Sequence, residues 1–253
     1  MHAILKPALA PAFYLKGKRN ILYGNGIRKA SFAEMNKLLL LIVALLFASV
    51  VYVMNKRTTV VNAAAAAVDS VLILKEEAAV REAERAAAKQ KHFSGELKTF
   101  AAEKGYATDV AFLIDMSLPS GRKRFFVYDL QADSLITAGL VAHGSCNQSF
   151  LEAGQYSNTP NSGCTSLGRY KVGYDYIGNF GKAYKLFGLD STNNKAFERY
   201  VVLHAYTCVP DEETYPQPIC NSLGCPMVSN AFLAKLEAII DNSPRPILLW
   251  IYE

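Results

Sequence analysis

Residues 38–54 (LLLLIVALLFASVVYVM) form a seventeen-residue stretch without a charge, and no other feature constrains this 253-residue chain more. As a helix the stretch rises about 26 Å, just under the ~30 Å of a hydrocarbon core. Lys37 before it and Asn55-Lys56-Arg57 after it extend the span by snorkelling. No polar face runs along it, which argues against a core helix of a soluble domain. The stretch reads as a transmembrane signal anchor. The alternative is a cleaved signal with a site after Ala63, opposed by Lys56 and Arg57 standing between that site and the apolar run. No cysteine comes after the run until Cys146, which excludes a lipoprotein anchor.

Charge places the remainder. Residues 1–37 hold seven Lys/Arg against one acid, Glu34, although the whole chain is only +5. The basic side is N-terminal, so the chain beyond residue 54 is expected outside the cytoplasm. Met35-Asn36-Lys37 looks like the start of a bacterial signal sequence, so the basic tail 1–37 reads as a mis-called start or a cytoplasmic tail. Beyond residue 37 the balance is close to neutral, and no nucleic-acid partner is expected. Residues 55–92 are Ala-rich and laced with Glu, Lys and Arg, the composition of a helical stalk or linker.

From 93 to 253 the pattern becomes globular. Ser94 and Gly105 bracket a short capped helix. Strand candidates lie at 110–116, 124–130, 134–142, 169–177, 184–189, 200–204 and 246–252. One clear helix, 229–241, has Ser229 as its cap and Phe232, Leu233, Leu236, Ile239 and Ile240 as its buried stripe. Strands dominate without βαβ alternation. The class is mainly β (α+β), a sandwich-like domain with peripheral helices.

The cysteines number five, an odd count for an exported chain. Nested pairing of Cys146 with Cys164 and of Cys208 with Cys220 is preferred among three connectivities, leaving Cys225 free. The cysteines lack the paired spacing of a zinc site, and no metal is expected. Cys225 stands after Gly224 in the turn Ser222-Leu223-Gly224-Cys225-Pro226, just ahead of the helix. His204 ends an apolar strand, with seventeen residues between it and Ser222. A strand-end His and a Cys on a later turn can form a base–nucleophile pair.

These residues resemble the L,D-transpeptidase (YkuD-like) catalytic domain, whose motif is a His and, after a gap, Ser/Thr-His-Gly-Cys. With Leu223 at the motif's second His, the chain is similar to the murein YkuD_2-type branch. Val141-Ala142-His143-Gly144, Ser157-Asn158 and Ser166-Leu167-Gly168-Arg169-Tyr170 agree with it, over about 107–252. Met227 stands where Arg is usual, and Ala205 where Gly is usual.

The resemblance implies an L,D-transpeptidase-like fold and a cysteine acyltransferase acting on peptidoglycan stem peptides. Cys225 would be nucleophile and His204 base, with Gly224 and Cys225 N–H as oxyanion donors and Ser222 in support. His143 and Tyr170 are candidates for the cleft. No cofactor is called for. Transfer to an amine gives a cross-link; transfer to water makes the protein an L,D-carboxypeptidase. A non-catalytic wall-binding module on the same fold is the rival. The expected location is the bacterial envelope, anchored in the cytoplasmic membrane through 38–54.

Overall fold

From Phe32 no glycine interrupts the chain until Gly95, and no proline until Pro119. The computed structural model, which describes residues 31–253, accordingly forms one helix, α1, over Phe32–Lys104. Residues 1–30 of the expected basic tail lie outside the described residues. The chain divides into two compact units, up to Ile73 and from Leu74 onward. In the first, the apolar run is exposed on every side; Leu45 is 68% and Phe47 71% exposed. By length and composition it is apolar enough to cross a membrane.

In the second unit the end of α1 is amphipathic. Leu97 and Ala101 are fully buried, and Phe93 packs on Trp250 and Tyr252, with ring centroids 4.7 and 3.8 Å apart. Packing begins upstream of 93, where Lys89 reaches the buried carboxylate of Asp115 at 3.1 Å. This burial overrides the cap and glycine signals at Ser94 and Gly95. Ser94 does not start a helix: it lies inside α1 and donates its hydroxyl to Lys91 O at 3.0 Å. The helix stops where the sequence expects. Gly105 takes φ +77°, and the N–H groups of Gly105 and Tyr106 both reach Ala101 O.

The strands are β1 (Val110–Asp115), β2 (Phe125–Asp129), β3 (Ser134–Gly139), β4 (Val141–Ala142), β5 (Gly168–Gly178), β6 (Gly181–Gly188), β7 (Val202–Ala205), β8 (Met227–Val228) and β9 (Leu248–Tyr252). Helix α2, Asn230–Asn242, comes after β8. All nine strands join one sheet in the order β3-β2-β1-β9-β5-β6-β7-β8-β4. The pairs β1–β9 and β7–β8 are parallel, and the others antiparallel.

That order explains the barrel-like form. The outermost strands, β3 and β4, are consecutive in sequence with only Leu140 between them. One residue cannot span an open nine-stranded sheet at ~4.8 Å per strand, so the sheet must curl until its edges meet. The expected single strand over 134–142 is therefore two, paired with β2 and with β8. Arg124, 1% exposed, holds this seam. Its Nε and Nη2 donate to Val141 O at 3.0 and 2.9 Å, and its Nη1 to Leu118 O at 3.0 Å.

The inner face of the sheet makes the main core. Phe112, Phe125, Tyr170, Leu186, Leu203 and Leu249 point into it. Helix α2 closes that core with Phe232, Leu233 and Leu236, and Ser229 Oγ caps it by accepting from Phe232 N–H at 3.1 Å. Burying each such side chain is worth about 1.5–3 kcal/mol. The outer face is covered by the end of α1 over β1, β2 and β9, and by the 208–220 loop over β4 and β8. Between these covers, Tyr174 on β5 and Phe180 in the β5–β6 turn present exposed aromatic rings.

Candidate active site

On β7, Leu203 and Ala205 enter the main core, so Val202 and His204 point to the outer face. His204 pairs with Met227 across the parallel β7–β8 ladder. Cys225 lies two residues before Met227, in the bend that leads into β8 and outside the strand, and its thiol receives a backbone hydrogen bond from Val202, the outer-facing residue two before His204. The structure thus brings the Cys225 thiol to Val202 on β7, whose outer face also carries His204, and among the described residues no hydrogen bond joins the two side chains.

The turn that carries Cys225 is fixed from several sides. Gly224 takes φ +115°, and a Cβ there would stand 2.8 Å from Cys164 O, so only glycine fits. Ser222 Oγ accepts from Gly224 N–H at 3.1 Å and donates to Cys225 O at 2.6 Å. Gly224 N–H is therefore engaged within the turn, which corrects its reading as a free oxyanion donor. Thr165 Oγ1 donates to Gly224 O at 3.2 Å, and Ser222 exchanges backbone bonds with His143 and Ser145 at 2.8 Å each.

The free thiol of Cys225 is half-buried, with Sγ 3.8 Å from Tyr200 O. Burial pushes it above its usual value, opposed by a backbone hydrogen bond from Val202 and by the charges of Arg199 and Lys185. His204 is 5% exposed, and burial holds its imidazole below 6.5. Its Nδ1 lies 3.1 Å from Ala205 O. A carbonyl only accepts, so Nδ1 carries the proton and Nε2 is the basic nitrogen. The ring of Phe180 stacks on it at 5.0 Å. The shifts favour a neutral thiol and a neutral imidazole at rest.

Two residues that the sequence reading missed complete the surroundings. Arg199 donates to Ser157 O, Ser166 Oγ, Ser162 Oγ and Cys164 O at 2.6–3.3 Å, tying the 157–166 loop beside the Cys225 turn. Lys185 pairs in register with Val202 and lies 4.5 Å from the ring centre of Tyr176. Outward alternation along Ala183-Lys185-Phe187 was the one signal for Lys185. Arg199 had none, since the loop it gathers is distant in sequence.

His143 and Tyr170 do not line an open cleft; both are fully buried. His143 Nδ1 accepts from Arg124 Nη2 at 2.8 Å, and Nε2 donates to Leu151 O at 3.0 Å. Burial, then the Arg124 charge, lowers His143 to about 4. Tyr170 sits under Ser166, its hydroxyl 2.6 Å from Ser166 O, and burial raises it to about 12.

The disulfides are Cys146–Cys164 and Cys208–Cys220, with Cα atoms 4.3 and 6.1 Å apart. The first holds Cys164, whose carbonyl touches both Arg199 and the Gly224 turn; the second closes the loop over β4 and β8. Among the described residues no group of three or more His, Cys, Asp or Glu could hold a metal ion. The groove lined by Leu118, Arg124, Glu152, Tyr215 and Glu253 contains neither His204 nor Cys225.

Comparison with known proteins is informative at the level of family. The YkuD_2 model, described as an L,D-transpeptidase catalytic domain, matches residues 84–252. No curated protein matches. Similar solved structures include an L,D-transpeptidase from Xylanimonas cellulosilytica, at 15% identity and TM-score 0.32, covering 61% of this chain and 68% of that one. Another is the helical cell shape determining protein Pgp2 from Campylobacter jejuni, at 12% identity and TM-score 0.35, covering 57% of this chain and 47% of that one. The matched part therefore spans about half the length of Pgp2. The family match covers well over half of the 253 residues, and on it the chain belongs to the L,D-transpeptidase catalytic-domain family.

Proposed function

We propose that the protein is a membrane-anchored cysteine acyltransferase that acts on peptidoglycan stem peptides. The observation that carries this reading is the free thiol of Cys225 against Val202 on β7, whose outer face also carries His204 with its Nδ1 tied to Ala205 O. Residues 38–54 would anchor it, 55–92 serve as stalk, and 93–253 act outside the cytoplasm.

Because both groups rest neutral, attack requires proton transfer. His204 Nε2 takes the thiol proton as Sγ adds to the carbonyl of the L-residue preceding a D-residue. The Cys225 N–H is the remaining backbone donor for the oxyanion, since Gly224 N–H is held by Ser222. As the C–N bond breaks, His204 returns the proton to the leaving amine, and a Cys225 thioester remains. An acceptor amine then attacks. His204 removes its extra proton, the C–S bond breaks, and the proton restores the thiol. Water in place of the amine gives a carboxylic acid.

Full-length protein incubated with disaccharide-tetrapeptides tests this, with products read by mass. Loss of the terminal D-residue with cross-linked dimers supports transfer; loss without dimers supports carboxypeptidase action. Unchanged substrate would replace both with a wall-binding module. A reporter fused after Glu253 tests topology: activity of an export-dependent reporter supports the anchor, and activity of a cytoplasmic one overturns it.

A further inference from the structure

We propose that Lys185 recognises a carboxylate on the acyl donor, one residue beyond the amide that Cys225 attacks. The inference rests on the acyl-transfer reading above and names a specificity residue for it. Lys185↔Val202 and Ala183↔His204 are successive pairs on the outer face of the β6–β7 ladder, so Lys185 stands one pair away from the base. Its ammonium is 4.5, 5.8 and 5.4 Å from the ring centres of Tyr176, Phe197 and Tyr200. Tyr200 also supplies the carbonyl beside Cys225 Sγ. Three rings therefore hold the ammonium next to the nucleophile without using its hydrogen-bond donors.

Its charge is unanswered. Among the described residues no carboxylate forms an ion pair with Lys185. On the same strand, Lys182 is held by Asp241 at 2.7 Å and Asp175 at 3.9 Å. Elsewhere Lys89 meets Asp115 and Lys123 meets Glu212. Arg199, the other cation acting on the thiol, already directs its donors at four oxygens. Arg199 thus has one of its five N–H donors left, whereas all three of Lys185 remain for a ligand. A peptide whose leaving D-residue ends the chain presents a carboxylate two bonds beyond the scissile nitrogen. That anion meets a positioned, half-desolvated ammonium, where a charge-assisted bond is stronger than in water.

The test uses the full chain in detergent micelles and two peptides, an L,D-tetrapeptide with a free C-terminal carboxylate and the same peptide as its C-terminal amide. Binding is measured by NMR titration of the Cys225→Ala protein, so that chemistry does not interfere. The free acid is expected to bind roughly tenfold tighter than the amide. Lys185→Met, which keeps an apolar stem over the rings, should abolish that preference while amide binding stays unchanged; Lys185→Arg should retain it. A preference that persists in Lys185→Met, or its absence before any change at 185, overturns the proposal. Turnover by the wild-type protein is a separate arm. If neither peptide is processed, the acyl-transfer reading fails, while the binding arm still decides whether Lys185 reads the carboxylate.

Discussion

His143, next to β4 at the barrel seam, and His204, on β7 at the candidate site, are both buried histidines held below 6.5. Their surroundings differ in one respect. At the seam both ring nitrogens are engaged, by Arg124 and by Leu151 O, and a second proton would face a guanidinium. At the site only Nδ1 is engaged, and among the described residues no protein group bonds Nε2. Burial and a lowered pKa therefore do not separate a structural histidine from a candidate base. The count of uncommitted nitrogens beside a nucleophile does.

The sharpest way to break this comparison is to remove its reactive partner. Cys225→Ser should reduce acyl transfer to background, because an alcohol is far less nucleophilic than a thiol at neutral pH. His204→Ala should cost ~10²–10⁴-fold in kcat, the range of a lost general acid–base. His143→Gln should leave the pH–rate profile intact. In wild type, the acid limb should fall below pH 6.5, where His204 protonates. Steady-state kinetics across pH checks all three, and an unchanged rate in His204→Ala would end the distinction.

Stability should respond in the opposite manner. The unfolded chain protonates His143 near 6.5 and the folded one near 4, so the unfolded state binds more protons between these values. Stability is then complete above about 6.5 and falls as pH drops toward 4, by roughly 3 kcal/mol. His204 adds to the loss in the same direction. Chemical denaturation at stepped pH should show the fall in wild type and a much shallower one in His143→Gln.

Reducing either disulfide should cost a similar amount. Each closes a loop of 12 or 18 residues, worth about 3 kcal/mol. Activity should separate them, since Cys164 O contacts Arg199 and the Cys225 turn, whereas Cys208–Cys220 covers β4 and β8. Cys146→Ser with Cys164→Ser should lower kcat more than the other pair at equal folded fraction. The smallest effect is expected at Leu223, which is 81% exposed. Leu223→Ala should move stability by less than about 0.5 kcal/mol in thermal unfolding.

Much of the site was legible because its signals are local. A strand-ending His204, a Gly before Cys225 and an odd cysteine count all stand in the sequence. What was hidden depends on register and closure. β8 is two residues long, too short for any period, yet its pairing with β7 sets Met227 beside His204 and so brings the turn that carries Cys225 to that strand. Arg124 reads as the start of a strand, and only the meeting of β3 with β4 makes it a seam. Ser94 shows the reverse error: a good local cap lost to the burial of Leu97 and Ala101.

The central claim is that Cys225 carries the acyl group while His204 moves the proton. Rapid acid quench of the full-length protein with a stem tetrapeptide, combined with peptide mapping by mass, tests it most directly. The account predicts a thioester adduct on Cys225, with the terminal D-residue released in equal amount, and a much slower appearance of both in His204→Ala. Release of the D-residue with Cys225 unmodified, or no adduct and no release in the wild-type protein, would contradict it.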